Sequence, residues 1–166
     1  MIKPIAWLGN TKQGSINPSL MKIIVSMLLA GTFVLCSGHR FVDSTLLGRW
    51  RSIEDPNAGF MEFDSEGYVT IEDNGQVIGG KEFEIEGNKA SMSYTTNTSV
   101  TPHQIDIVLK LKLEGQEIEA AKMLGIYTYD NNSQTLSMCI NFEGSFRPTK
   151  MEDSDAFDLM IFKKEN

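Results

Sequence analysis

Histidine and cysteine are scarce in this chain. His39, His103, Cys36 and Cys139 are the whole supply in 166 residues. His103 stands beside Pro102 in a polar loop, and a single histidine without cysteine or a second histidine does not make a zinc centre. No phosphate loop, nucleophile elbow or zinc motif occurs. No histidine near Cys139 in sequence would activate it as a nucleophile. The expectation is a protein with no catalytic residue, no metal and no cofactor. Basic charge is short as well: 22 Asp and Glu outweigh 15 Lys and Arg, for a net of −7. Every acidic residue lies at or after Asp43, and no basic stripe interrupts them. Such a surface repels a phosphate backbone, so nucleic acid is not an expected partner. Helical periodicity is missing from Leu46 onward, as are repeats and low-complexity tracts.

What the chain does have begins at Met21-Lys22. An uncharged apolar run from Ile23 to Cys36 follows, then the small residues Ser37 and Gly38. This is the pattern of a secretory signal. The run is shorter than the ~20 apolar residues of a membrane span, and burial as a core helix is the remaining alternative. Residues 1–20 are either a long leader or a mis-assigned upstream start, because Met21 is a natural place for a signal to begin. Cys36 has two fates: lipidation as the first residue of a lipoprotein, with Leu35 in place of the usual small residue before it, or ordinary cleavage near Ser37 or Gly38. Neither leaves Cys139 a partner for an intradomain disulfide. The expected organisation is a signal over 21–38, a tether over 39–45 and one domain over 46–166. The expected location is periplasmic, outer-membrane-associated or secreted, with membrane contact only through the signal or a lipid anchor.

From Leu46 on the period is two. Phe60–Asp64 and Tyr68–Glu72 read as strands around a Ser65-Glu66-Gly67 turn. Asp73-Asn74-Gly75 is a hairpin signal, since Asn-Gly suits a type I′ turn. Lys81–Glu86 puts Phe83 and Ile85 on one face and three glutamates on the other. Ala90–Thr95 follows a Glu86-Gly87-Asn88 turn. Ile105, Ile107, Leu109, Leu111 and Leu113 share a face of a long strand. Ala156–Phe162 is apolar on both faces, as a strand covered on both sides would be. The central hairpin runs from Met123 to Phe142 around Asp130-Asn131-Asn132-Ser133, residue types that tolerate positive φ and bond their own backbone. In its return strand Leu136, Met138, Ile140 and Phe142 share one face, and Thr135, Ser137, Cys139 and Asn141 the other. The fold class expected is all-β: a closed or nearly closed antiparallel up-and-down barrel of about 8–10 strands, since closure removes aggregation-prone edges.

Gly48-Arg49-Trp50 resembles the Gly-x-Trp signature of the lipocalins. With Pro102-His103-Gln104-Ile105-Asp106, Leu124-Gly125-Ile126-Tyr127, Leu136-Ser137-Met138-Cys139 and Arg147-Pro148-Thr149 in this order, residues 46–166 are similar to a lipocalin-like domain of exported bacterial proteins. The resemblance implies structural roles for Gly48 and Trp50, the Trp plugging the closed end of the barrel. It implies no catalytic residue. Lipocalins place an Arg on the last strand against that Trp. Here the strand offers Lys163 and Lys164, so Arg147 or a lysine has to serve.

Other groupings read as surface. Asp153, Asp155 and Asp158 lack the glycine and distant glutamate of a Ca²⁺ loop. Glu82, Glu84 and Glu86 alternate outward as a solvated face. Asn97-Thr98-Ser99 and Asn131-Asn132-Ser133 match glycosylation sequons but read as turns in a bacterial chain. Tyr94, Tyr127 and Tyr129 are candidates to line a ligand site, since tyrosine joins an apolar body to a polar tip. They either pack or line a cavity. Met138, with Met61 and Met92, suits an adaptable pocket. The functional expectation is an exported binding module holding a small apolar molecule or lipid in its barrel. The competing expectation is an envelope structural or interaction protein, its barrel filled by side chains and its partner another protein. Cys139 is reactive if its face is bare, and buried and inert if an outer helix or the chain's own end covers it.

Overall fold

The computed structural model describes residues 42–53, 59–73, 75–144, 146–154 and 157–165. The leader, the signal segment and Cys36 lie outside the described residues, as do His39 and Asn74. Among the described residues nine strands follow in chain order: β1 (Gly48–Ser52), β2 (Phe60–Phe63), β3 (Val69–Asp73), β4 (Gln76–Ile85), β5 (Asn88–Asn97), β6 (His103–Leu113), β7 (Gln116–Asp130), β8 (Thr135–Asn141) and β9 (Asp158–Lys164). Each pairs antiparallel with the next, and β9 pairs with β1 to close the barrel. The all-β closed barrel read from the alternation is what the chain forms.

Nine straight strands with alternating direction would bring the first and last together in parallel, yet β1 and β9 are antiparallel. The extra reversal lies in β4. Its first half, up to Gly79, pairs with β3; its second half, from Gly80, pairs with β5; and the register shifts between Gly80 and Phe83. A direct antiparallel bridge from Tyr68 to Ser93 links the β3 side to β5. The chain corners at Gly79-Gly80, with φ of 106° and 82°. A Cβ on Gly79 would stand 2.3 Å from the Val69 carbonyl oxygen, so only glycine can occupy this corner.

A second irregularity sits in β7. Leu109 faces Ala121 while Lys110 faces Glu119, which leaves Ala120 as the extra residue of a β-bulge. The bulge switches the inward set from Ile118 and Ala120 to Ala121, Met123, Tyr127 and Tyr129. In the central hairpin the register pairs Tyr127 with Met138 and Tyr129 with Leu136. Leu136, Met138 and Ile140 face the same interior as Ile107, Leu109 and Leu111, as the period of two requires. The turn differs in one respect from its sequence reading. The Asp130 carboxylate accepts from the Asn132 N–H (2.9 Å) and the Ser133 hydroxyl (2.8 Å), but the positive φ falls on Gln134, at 55°.

After β8 the chain leaves the ring and lies across the outside of it. The Arg147 guanidinium donates to the carbonyls of Ile105 (2.9 Å) and Gly125 (2.5 Å) and to the Asp106 carboxylate. Asn141 donates to the Phe146 carbonyl at 2.8 Å and accepts from the Glu143 N–H at 2.9 Å. This strap covers the outer row Ile126, Cys139 and Leu159, which are register partners. Cys139 is therefore fully buried, with its thiol 3.5 Å from the Glu152 carbonyl oxygen. Of the two readings of Cys139, the covered one holds.

Candidate functional site

One end of the barrel is sealed, and Tyr94, Tyr127, Tyr129 and Met138 all stand there. At the sealed end Trp50, Tyr94, Tyr127, Leu136 and Met138 have no exposed surface. Three aromatic tips there are satisfied by irregular segments that cross the end of the barrel. The Trp50 Nε1–H donates to the Leu46 carbonyl at 2.6 Å, the Tyr127 hydroxyl to Asp43 Oδ2 at 2.7 Å, and the Tyr94 hydroxyl to the Asp64 carbonyl at 3.1 Å. A buried tyrosine or tryptophan needs such a partner. Tyr129 packs its ring edge-on to Trp50 at 5.6 Å, and Phe63 meets Tyr94 at 4.9 Å. His103 accompanies this group: its ring lies 5.3 Å from Tyr127 and its Nδ1 is 2.8 Å from the Val100 carbonyl.

Residues 42–45 belong to this end rather than to a free tether. Val42 packs against the core, Leu46 is fully buried, and Asp43 accepts from Tyr127. Burial pushes the Asp43 carboxyl up, but the hydrogen bonds from Tyr127 and Thr45 outweigh it and hold it below the ordinary range. The cation over Trp50 is Lys164, whose Nζ lies 5.2 Å from the ring centroid. Arg147, the alternative read from the sequence, does not reach Trp50; its guanidinium is spent on the outer strap. Gly48 opens β1 at φ 106°, beside the Lys164 side chain.

Tyr94, Tyr127, Tyr129 and Met138 are thus gathered in one place, as packed core. A void of ~300 Å³ or more, the size of a ligand pocket, would leave accessible surface on the side chains around it; Tyr94, Tyr127 and Met138 have none, and Tyr129 is partly buried. Burial raises the pKa of both the Tyr94 and the Tyr127 hydroxyl, in Tyr127 with the Asp43 carboxylate adding to it. Both should stay protonated well above pH ~10, where a tyrosine in the unfolded chain ionises. Their contribution to stability is then whole below that pH and is lost as the pH climbs beyond it. In an alkaline titration the phenolate absorbance that distinguishes wild type from Tyr94→Phe/Tyr127→Phe should appear only together with loss of the β-sheet circular dichroism. Ionisation of both hydroxyls in the intact barrel would show that the end is open to water.

The other end is built differently. Ile118 stands near the opposite end of β7 from Tyr129. Phe83, Ala90, Leu111 and Ile118 are register partners across β4, β5, β6 and β7 and form one inward row. Ile85 and Leu113 lie beyond it, towards the hairpin tips. β8 pairs with β7 only from Leu124 onward. The lower parts of these four strands therefore run on past β8 as a curved lip. Phe83, Ile85, Leu113 and Ile118 pack on the core but stay only partly buried. The alternation read from the sequence puts Phe83 and Ile85 inward and Leu113 on the apolar face of its strand. It did not find the lip, because which inward residues stay uncovered depends on where the neighbouring strands stop.

The acidic groupings read as surface remain there. Glu82, Glu84 and Glu86 are exposed, and Glu82 is bridged by Lys89 at 2.8 Å. Asp153 is exposed, while Asp155 lies outside the described residues. Among the described residues no group of His, Cys, Asp and Glu is placed to hold a metal ion. No family model, no curated protein and no solved structure matches the chain.

Proposed function

We propose that this chain is an exported, lipocalin-like binding module without enzymatic activity, and that it takes a small apolar molecule or a lipid chain at the lip rather than deep in the barrel. One observation carries the reading: Phe83, Ile85, Leu113 and Ile118 face inward and remain partly exposed, while Trp50, Tyr94, Tyr127, Leu136 and Met138 at the other end are shut off from water. Apolar side chains turned towards an unfinished interior gain when an apolar ligand covers them. The lipocalin likeness is supported by the closed antiparallel barrel, by Trp50 sealing one end of it and by a last-strand cation over that ring. Export is supported by the signal pattern before Gly38.

The dense burial at the sealed end favours a second reading, a filled barrel that serves an envelope protein as a structural or interaction partner. One measurement separates the two. Titration of the full chain with the neutral fluorophore N-phenyl-1-naphthylamine should give saturable enhancement, displaced by a free fatty acid. Ile118→Lys should weaken it about tenfold, the equivalent of ~1.4 kcal/mol of lost apolar contact. Tyr127→Phe, at the sealed end, should leave the affinity unchanged. A chain that binds neither probe nor fatty acid would favour the filled-barrel reading.

A further inference from the structure

The lip has an open edge with an ordered charge pattern. Along the outer face the register runs Glu84, Lys89, Lys112, Glu117 across β4, β5, β6 and β7, and Ser91, Lys110, Glu119 one step further on. The inner face runs Phe83, Ala90, Leu111, Ile118. On the side away from β6, residues 116–121 of β7 have no strand partner among the described residues, because β8 ends its pairing at Leu124. The chain after β8 turns away at this point, with Gly144 packed against the Lys122 carbonyl. Among the described residues, none pairs in the lane beside the lip that β8 occupies higher up.

We propose that this lane is a strand-addition site for an extended segment of another protein that alternates basic and apolar residues. The molecule already displays the matching chemistry on the other side of β7. There Lys112 faces Glu117, Leu111 faces Ile118 and Lys110 faces Glu119, with Lys110 bridged to Glu117 at 3.6 Å. A segment of the same alternation in this lane would set cations beside Glu117 and Glu119 and continue the inward apolar row. Glu117 and Glu119 are both exposed. A second copy of this chain does not fit, since antiparallel pairing of two such edges sets Glu117 and Glu119 against each other. The opposite edge of the lip, on β4, is the less receptive one. It is bulged between Gly80 and Phe83, whereas residues 116–119 of β7 pair in regular register before the bulge at Ala120, and it carries Lys81, bridged to Glu66 at 2.5 Å, an edge lysine that discourages pairing.

The test is fluorescence anisotropy of a labelled synthetic peptide with the sequence of residues 107–113, Ile-Val-Leu-Lys-Leu-Lys-Leu, added to the full chain. Saturable binding is expected, and it should be lost when the amides along one edge of the peptide are N-methylated. Glu117→Lys with Glu119→Lys should weaken it at least about fivefold, and should bind better the peptide with both lysines replaced by glutamate. Three results would each overturn the proposal: no saturable binding, binding indifferent to N-methylation, which marks a polycation on an acidic surface, or an edge-to-edge homodimer of wild type. The peptide modification needs no change to the protein, so the test survives a variant that fails to fold. Naphthylamine binding is measured separately, so loss of the apolar site and loss of the strand site are told apart.

Discussion

Trp50→Ala is expected to remove about 3–5 kcal/mol of folding stability, the cost typical of truncating a fully buried large aromatic. Trp50 has no exposed surface and stands at the junction of four structures. It pairs through β1 with Met61 on β2 and Lys164 on β9. Tyr129 meets its ring edge-on, and its indole N–H holds the Leu46 carbonyl. Alanine loses the ring contacts, leaves a cavity and strands a buried carbonyl at once. A domain of this size is stabilised by only ~5–15 kcal/mol, so the urea midpoint should fall by about 2 M at the usual slopes for small proteins. Trp50→Phe separates the terms. It keeps much of the ring volume and loses the N–H, so it should cost less overall, yet it should release the segment around Leu46 to proteolysis more readily than its global stability predicts. A Trp50→Ala loss under ~1 kcal/mol would mean that the ring does not seal the barrel.

How much of this was legible beforehand follows from where the period of two survives. In β8 it is unbroken, so Leu136, Met138 and Ile140 could be placed inside and Cys139 outside from sequence alone. In β7 the bulge at Ala120 changes the parity, and a reading by alternation finds the strand only from Met123 on. The first half of β4 was missed for a related reason. Gly79 and Gly80 mark a corner, and Val77 is an apolar residue that ends up exposed. Asp43 sits in an irregular segment with no period, so nothing in the sequence announced that it would meet Tyr127, eighty-four residues away. Trp50 could be assigned by resemblance, but the choice between Lys164 and Arg147 as its cation could not, because it turns on which way the chain runs after β8. The tyrosines show the opposite limit. Their clustering was legible, while the decision between packing and lining a pocket depended on how closely Leu46 and the turn at Asp64 cover them.

Arg147→Ala should unlock the outer strap and expose a thiol that wild type hides. In wild type Cys139 is fully buried beneath the strap, so a thiol reagent should modify it only when the strap lifts or the whole domain opens. Arg147 is the strap's main tie to the barrel: it reaches across to the carbonyls of Ile105 and Gly125 and to Asp106. Burial raises the Asp106 carboxyl, but hydrogen bonds from Arg147 and Lys122 outweigh this and keep it below its ordinary range. Removing the guanidinium leaves Asp106 with Lys122, at 2.8 Å, and leaves the strap held by Asn141, by the Leu159 N–H on Asp153 and by its apolar contacts. Loss of charge-assisted hydrogen bonds of this kind costs about 1.5–3 kcal/mol. If the cost falls on local opening, labelling of Cys139 in the native state should quicken by roughly tenfold to a hundredfold, at ~1.4 kcal/mol per factor of ten. The barrel beneath does not depend on the strap for its ring of hydrogen bonds, so Leu136 and Met138 should stay protected and the β-sheet circular dichroism should not change. Arg147→Lys keeps the charge but not the forked geometry that spans two carbonyls and a carboxylate, and should fall between alanine and wild type. Labelling of Arg147→Ala at the wild-type rate would show that the strap is held by its apolar contacts instead. Labelling that rises only in step with global unfolding would show that strap and barrel form one cooperative unit.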